Sequence, residues 1–169
     1  MLSDWEASYI QSLVSAVEGQ SKATLTHWCA DYAEGVLLPI YEAAFPDDRR
    51  PRNALTAARD WCAGSVKLPE AKTYILECHT AARACENQPA AYGAARAIGQ
   101  AASTIHAATH CMGLALYGAL AVAYDALGAD APWPELEQAA AEECGRMEAA
   151  LRAVAVKDEP NPVKLNWKC

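Results

Sequence analysis

Apolar residues recur along this chain at helical spacing, in blocks set off by prolines and small polar residues. Trp5, Tyr9, Leu13 and Val17 repeat every four residues and predict a first helix ending near Gly19. It follows "SDWE", where Ser3 and Glu6 have the spacing of a capping box. A second helix is expected from about Lys22, with Leu25, Trp28, Cys29, Tyr32 and Val36 on one face. Gly35 and Pro39 should break or kink it before "IYEAAFP", because proline has no N–H for the carbonyl four residues back. In "FPDDRRPRNALTAARDWCAG", Asp47 or Asp48 can cap a third helix and Pro51 suits its first turn. Leu55, Ala58 and Cys62 then face inward, and Gly64 is a stop. Pro69 opens a fourth helix in which Ala71, Ile75, Cys78, Ala82 and Cys85 follow a 4-3-4-3 spacing.

From Pro89 to Gly128 the pattern stays helical without a proline. A single helix of that extent would run about 58 Å at ~1.5 Å per residue. A compact domain of this size has a radius of gyration of about 15 Å. A break or bend is therefore expected between Gly99 and Gly113, giving two helices. Pro132 and Pro134 open the last helix, which carries Leu136, Ala140, Cys144, Met147, Leu151 and Val154. The tail 157–169 is proline-broken and expected to be extended, with Trp167 pinning it to the body. No segment alternates like a strand, and the abundant alanine suits close helix contacts. The expectation is an all-α fold, one domain of six to eight helices spanning residues 1–169.

Composition narrows the function. The 169 residues carry a net charge of −7 and are 53% hydrophobic. That balance argues against nucleic acid, whose phosphates call for a dense basic face. It permits docking onto a basic partner. The N-terminus "MLSDWEASYI" lacks the basic and apolar regions of a signal peptide, and no apolar run looks long enough to cross a bilayer uninterrupted. These features predict a cytoplasmic protein without membrane contact. Seven cysteines with no C-x-x-C pair speak against a zinc ribbon or disulfide framework. Cys62, Cys78 and Cys144 read as core residues, and Cys169 as the exposed thiol.

Candidate chemistry gathers in two places. In "STIHAATHCMG", His106 and His110 are four residues apart. As a helix, this region carries an apolar stripe of Ile98, Ala102, Ile105, Thr109, Met112, Leu116 and Ala119. Beside it lies a polar stripe of Arg96, Gly99, Ser103, His106, His110, Gly113 and Tyr117. Zinc needs three or four protein ligands, and the helical metalloprotease motif puts a glutamate directly after its first histidine. Here that position is Ala107, so a metal would need His79, His27, Cys111 or a carboxylate as a further ligand. The simpler reading is a half-buried hydrogen-bond network, with no metal and no cofactor. On that reading His106→Ala should cost about 1–3 kcal/mol by leaving a buried partner unpaired. Ser103 and Thr104 lie near His106, but no nucleophile elbow, reactive Cys/His signature, dinucleotide fingerprint or P-loop is present.

The second place is "DDRRPR". It reads first as a capped helix start whose Arg49, Arg50 and Arg52 pair locally or stay solvated. The alternative is a set of guanidinium forks that would grip a carboxylate or phosphate.

Three stretches together resemble a known family: "FPDDRRPRNALTAARDWCAG", "HTAARA" and "AARAIGQAASTIHAATHCMGLALYGALA". They are similar to the fifth of the numbered immunity families of bacterial polymorphic toxin systems. That family has a D-D-x-R-P-R helix start, an H-x-A-A-R-A segment and an A-G-x-A-x-x-T-x-H-x-x-x-H segment. The resemblance spans roughly residues 25–125. It maps the family's pattern onto Asp48, Arg50, Pro51, Arg52, Ala58, Trp61, His79, Ala82, Arg83, Arg96, Thr104, His106 and His110. Ile98 departs from it, standing where a small residue is expected, and Arg49 fills the variable position. The resemblance implies that Arg50, Arg52, Arg96, His106 and His110 belong to one shared polar feature.

The function it implies is an interaction protein that binds and neutralises a cognate protein toxin. Two other readings stand beside it: a small metal-binding protein or enzyme using His106, His110 and His79, and a structural helical module without a ligand.

Overall fold

The computed structural model describes residues 1–165, so the readings of Trp167 and Cys169 lie outside the described residues. Eight α-helical segments follow in order: α1 (Ser8–Glu18), α2 (Lys22–Tyr32), α3 (Leu38–Ala44), α4 (Arg50–Cys62), α5 (Leu68–Ala84), α6 (Pro89–Ser103), α7 (Ala119–Leu127) and α8 (Trp133–Val154). No strand occurs among the described residues, and the all-α expectation holds.

The centre is α6. Ten of its fifteen residues are buried: Ala91, Gly93, Ala94, Ala95, Ala97, Ile98, Gly99, Ala101, Ala102 and Ser103. A helix buried on most of its circumference must be flanked on several sides. Accordingly α2, α3, α4, α5 and α7 all pack on it. Small side chains let them approach. A Cβ on Gly93 would lie 3.0 Å from Ala121 Cβ and 3.1 Å from the Tyr117 carbonyl oxygen, and Gly118 meets Ala97 and Leu37 in the same way. Larger residues fill the gaps around this axis, with Ile98, Leu37, Leu55, Ile105 and Met147 essentially free of solvent. Each such side chain contributes about 1.5–3 kcal/mol by leaving water.

The expected kink at Gly35 and Pro39 takes the form of a π turn, Ala33–Leu37, joining α2 to α3. Leu38 N–H donates to the Ala33 carbonyl five residues back, which widens the helix just ahead of Pro39. The expected break between Gly99 and Gly113 also exists. Helix α6 ends at Ser103, residues 104–107 turn, and a 3₁₀ turn (Ala108–Met112) and a second π turn (Leu114–Gly118) lead into α7. The polar stripe therefore bends after Ser103, so His106 and His110 leave the axis of α6.

The first helix corrects the sequence reading. It starts at Ser8 rather than beside Ser3, and no capping box forms. Leu2 is buried and its N–H donates to the Leu116 carbonyl, while Glu6 N–H donates to Asp4 Oδ1. Anchoring Leu2 in the core holds the first residues in a turn instead of a helical one. Cys62 is a second correction, being exposed at the end of α4, whereas Cys29, Cys78, Cys85, Cys111 and Cys144 are buried. Val154, expected inward, is 52% exposed. The remaining inward residues of α5 and α8 are buried as the spacing predicts.

The expectation about apolar runs is corrected as well. Ala108–Leu127 is long and apolar enough by composition to cross a membrane, with a mean hydropathy of 1.3. In this fold 56% of its most apolar window is buried, and its backbone is divided into 3₁₀, π and α turns. Its apolarity is used in packing against α6 and α8. Beyond Val154 the described chain is not helical, and Val163 N–H donates to the Gln20 carbonyl.

Candidate functional site

Helix α5, helix α6 and the turn after it bring His79, Arg96, His106 and His110 into one row. His79 rests on the backbone of α6 at Gly99, where a Cβ would lie 2.5 Å from ring Cε1. Glycine is needed there for close approach, not for an unusual φ. The Nδ1 of His79 is buried without a hydrogen-bond partner. Burial pushes the His79 pKa down to about 4, with the positive Arg96 and Arg83 nearby adding to the shift.

Arg96 Cζ lies 5.1 Å from the centre of the Tyr117 ring, and its Nη2 donates to the Tyr117 hydroxyl at 3.4 Å. Its Nε is buried and unpartnered. His110 Nδ1 and Gln100 Oε1 are 2.6 Å apart. An amide oxygen only accepts, so the His110 proton sits on Nδ1. The His106 ring is 5.0 Å from that of His110 and tilted by 60° to it, with its Nδ1 buried and unpartnered. Burial lowers the pKa of both rings as well. At neutral pH the row is therefore three uncharged imidazoles beside one permanent cation.

This geometry relocates the expected cost of losing a histidine. His106 Nδ1 binds nothing, so His106→Ala orphans no partner through that atom. The partner left unpaired is instead that of His110, whose ring holds Gln100. Thr104 is fully buried and donates to the Gln100 carbonyl at 3.4 Å. Arg83 is exposed and donates to Thr80 Oγ1 at 2.8 Å.

"DDRRPR" builds a separate cluster at the start of α4. Asp48 Oδ1 accepts from Arg50 N–H at 3.0 Å and from Nε at 2.9 Å, and Oδ2 accepts from Nη2 at 2.6 Å. The buried Tyr41 donates its hydroxyl to the same Oδ2 at 2.6 Å. The hydrogen bonds from Arg50 hold the Asp48 pKa down at about 2. Arg52 grips Glu42 with two bonds of 2.8 and 2.7 Å, and Arg49 approaches Glu42 at 3.6 Å. The forks of Arg50 and Arg52 thus already hold carboxylates of this chain, as the local-pairing reading expects.

Asp48→Ala should lower stability by about 2–3 kcal/mol, since it unpairs both the Tyr41 hydroxyl and a partly covered guanidinium. Urea denaturation measures it. A loss below about 0.5 kcal/mol would mean the cluster is no stronger than an exposed ion pair.

The residues of the predicted shared feature thus occupy two clusters on either side of Cys78. Its thiol is pushed up by burial, responds to Asp48, Arg50 and Arg96 alike, and donates to the Ala95 carbonyl at 3.3 Å. Of the eight arginines, Arg49, Arg50, Arg52, Arg59, Arg146 and Arg152 are ion-paired. Among the described residues Arg83 and Arg96 have no such pair, and both lie by His79. No group of three or more His, Cys, Asp or Glu among the described residues could hold a metal ion.

Sequence reasoning missed Gln100, Tyr41 and Glu42. Gln100 had a usable signal, as the polar residue within the small-residue run "AIGQAAS". Glu42 had none, because it meets Arg52 across a turn ten residues away.

One family model matches residues 15–150, described as an Imm-5 like putative immunity protein. No curated protein matches the chain, and no solved structure does. The match covers most of the chain, including α2 to α7 and both polar clusters. The chain belongs to the Imm-5 like family.

Proposed function

We propose that this protein is an immunity protein that binds a cognate bacterial toxin domain in the cytoplasm and neutralises it. The observation that carries this reading is the family match over residues 15–150. Two physical features support it. The net charge of −7 favours fast encounter with a basic target. The polar row of α5 and α6 is held by packing against a rigid helical core, which limits the ordering cost of binding. Blocking a toxin requires no chemistry from the inhibitor. An occluding surface with a few well-placed anchors is sufficient.

The test is co-expression with the products of neighbouring genes. A stable complex with one of them, together with rescue of growth from its toxicity, is the expected result. Failure to bind or protect against any neighbour's product would overturn the proposal.

A further inference from the structure

Three shallow grooves join end to end along one edge of the molecule. The first, about 200 Å³, lies between α6, the segment leading into α7 and the start of α8, and is walled by Tyr92, Tyr117, Tyr124 and Trp133. The second, about 350 Å³, shares Pro89 and Tyr124 with the first and continues past Ile40 to Ala44 on α3. The third, about 540 Å³, starts at Ala44 and runs past Phe45 and Pro46 to the start of α4.

Their walls are mostly apolar, and acidic side chains outnumber basic ones along them, although the Met1 terminus also lines the first groove and Arg50 the third. Glu86 is the charged side chain lining the first groove and Asp125 the second, while Asp47 stands beside the Asp48–Arg50 pair in the third; the unpaired carboxylates are Glu86, Asp125 and Asp47. All three are exposed, and none has an ion pair among the described residues. Arg50, at the far end, is neutralised by Asp48. A track with apolar walls and unpaired carboxylates along its length calls for a ligand with alternating apolar and cationic groups.

The first groove adds a specific anchor. Three tyrosines and Trp133, which is 47% exposed, line it together with one carboxylate side chain. Aromatic faces attract cations through the ring quadrupole. Tyr117 already does so with Arg96 inside the protein.

We infer that this track docks a basic, partly apolar segment of a partner protein, with a lysine or arginine side chain seated among Tyr92, Tyr117, Tyr124 and Trp133 beside Glu86. The inference rests on the immunity reading for the partner's identity. The binding chemistry it names stands on the groove itself. The segment crosses three elements that α6 holds together, so occupation reports on the folded protein and not on one loop.

The test compares two peptides on the full chain by NMR titration: Ac-Arg-Leu-Arg-Leu-Arg-NH2 and its counterpart with citrulline at each arginine. Citrulline keeps the shape and removes the charge. The expected result is saturable shifts at the Trp133 indole and at residues 86–93 and 120–125. The citrulline peptide should bind on the order of tenfold more weakly. Glu86→Gln, a surface change that should leave the fold intact, should weaken the arginine peptide roughly threefold, and Trp133→Ala should abolish the shifts in the first groove. Equal binding of the two peptides, shifts confined to another face, or no saturable binding would each overturn the inference.

A toxin complex separates this inference from the wider reading. A complex that forms equally well with Glu86→Lys combined with Asp125→Lys would overturn the track while leaving the immunity function standing. If no neighbour's product binds, the immunity function falls and the peptide titration still decides the track.

Discussion

Lowering the pH from 6.5 to 4 should strip this protein of much of its stability, and His79→Asn should remove a large part of that loss. In the fold His79 has a pKa of about 4, against 6.5 for the free side chain. Between those values the unfolded chain binds a proton that the folded chain excludes. Stability from this group is therefore fully present above about pH 6.5 and is lost as the pH falls toward 4. His79 alone should account for on the order of 2 kcal/mol, allowing for the solvent at its partly exposed edge. His106 and His110 are shifted in the same direction, for the same reason of burial, and steepen the slope. Asp48, Glu42 and Glu148, all held below their ordinary values, begin to cost stability only as the pH nears those values of 3.8 and 4.5, so the loss between pH 6.5 and about 5 belongs to the imidazoles. Urea midpoints measured from pH 7 to 4.5 for both proteins decide it. A flat wild-type profile would show that the imidazoles are protonated without penalty.

Gly93→Leu should be the most damaging single change on α6, costing about 3 kcal/mol or more. Even a methyl group at residue 93 would meet the Tyr117 carbonyl oxygen at 3.1 Å and Ala121 Cβ at 3.0 Å. Both neighbours belong to, or are one bond from, the main chain, so no flexible side chain can swing aside. The segment carrying α7 would have to move off α6 and give up the contacts behind it. Thermal and urea unfolding should both shift strongly. A leucine accepted at a cost below about 1 kcal/mol would imply that this helix pair is looser than its geometry.

How much of this was legible in the sequence depends on the range of the interaction. The 4-3-4-3 spacing of Ala71, Ile75, Cys78, Ala82 and Cys85 marked the inner face of α5, because every contact that buries it repeats with the helical period. The same reasoning failed for Cys62, which lies at the last residue of α4, where there is no further turn to keep it covered. The capping box at Ser3 failed for a different reason. Its local bonds were outweighed by the burial of Leu2 against a segment more than a hundred residues away.

Pro39 and the length of the 89–128 stretch gave two interruptions their positions, but not their form. Whether a helix under such a constraint bends, stops or widens is decided by what packs beside it. At the candidate site the histidines and arginines were visible as residue types. Their division between a row on Arg96 and a cluster on Asp48 depends on Gln100, Tyr41 and Glu42, whose roles arise only across turns.

The two π turns have a consequence for how such a chain can change over evolution. A π turn holds one residue more than the α turn it replaces, so each marks a site where a helix accommodates an inserted residue without ending. Ala33–Leu37 and Leu114–Gly118 lie on opposite chain segments, yet Leu37 and Gly118 face each other beside Ala97 of α6. Losing one residue from either turn would leave a continuous helix but rotate everything beyond it by about 100°. Upstream of Tyr41, that rotation would turn the buried Tyr41 ring away from its place in the core. Upstream of Tyr124, it would turn that ring out of the wall shared by the first two grooves. Insertions and deletions at these two turns thus re-aim the buried faces of α3 and α7 along with the surfaces they carry, so relatives that change length there must also change the residues those faces meet on α6.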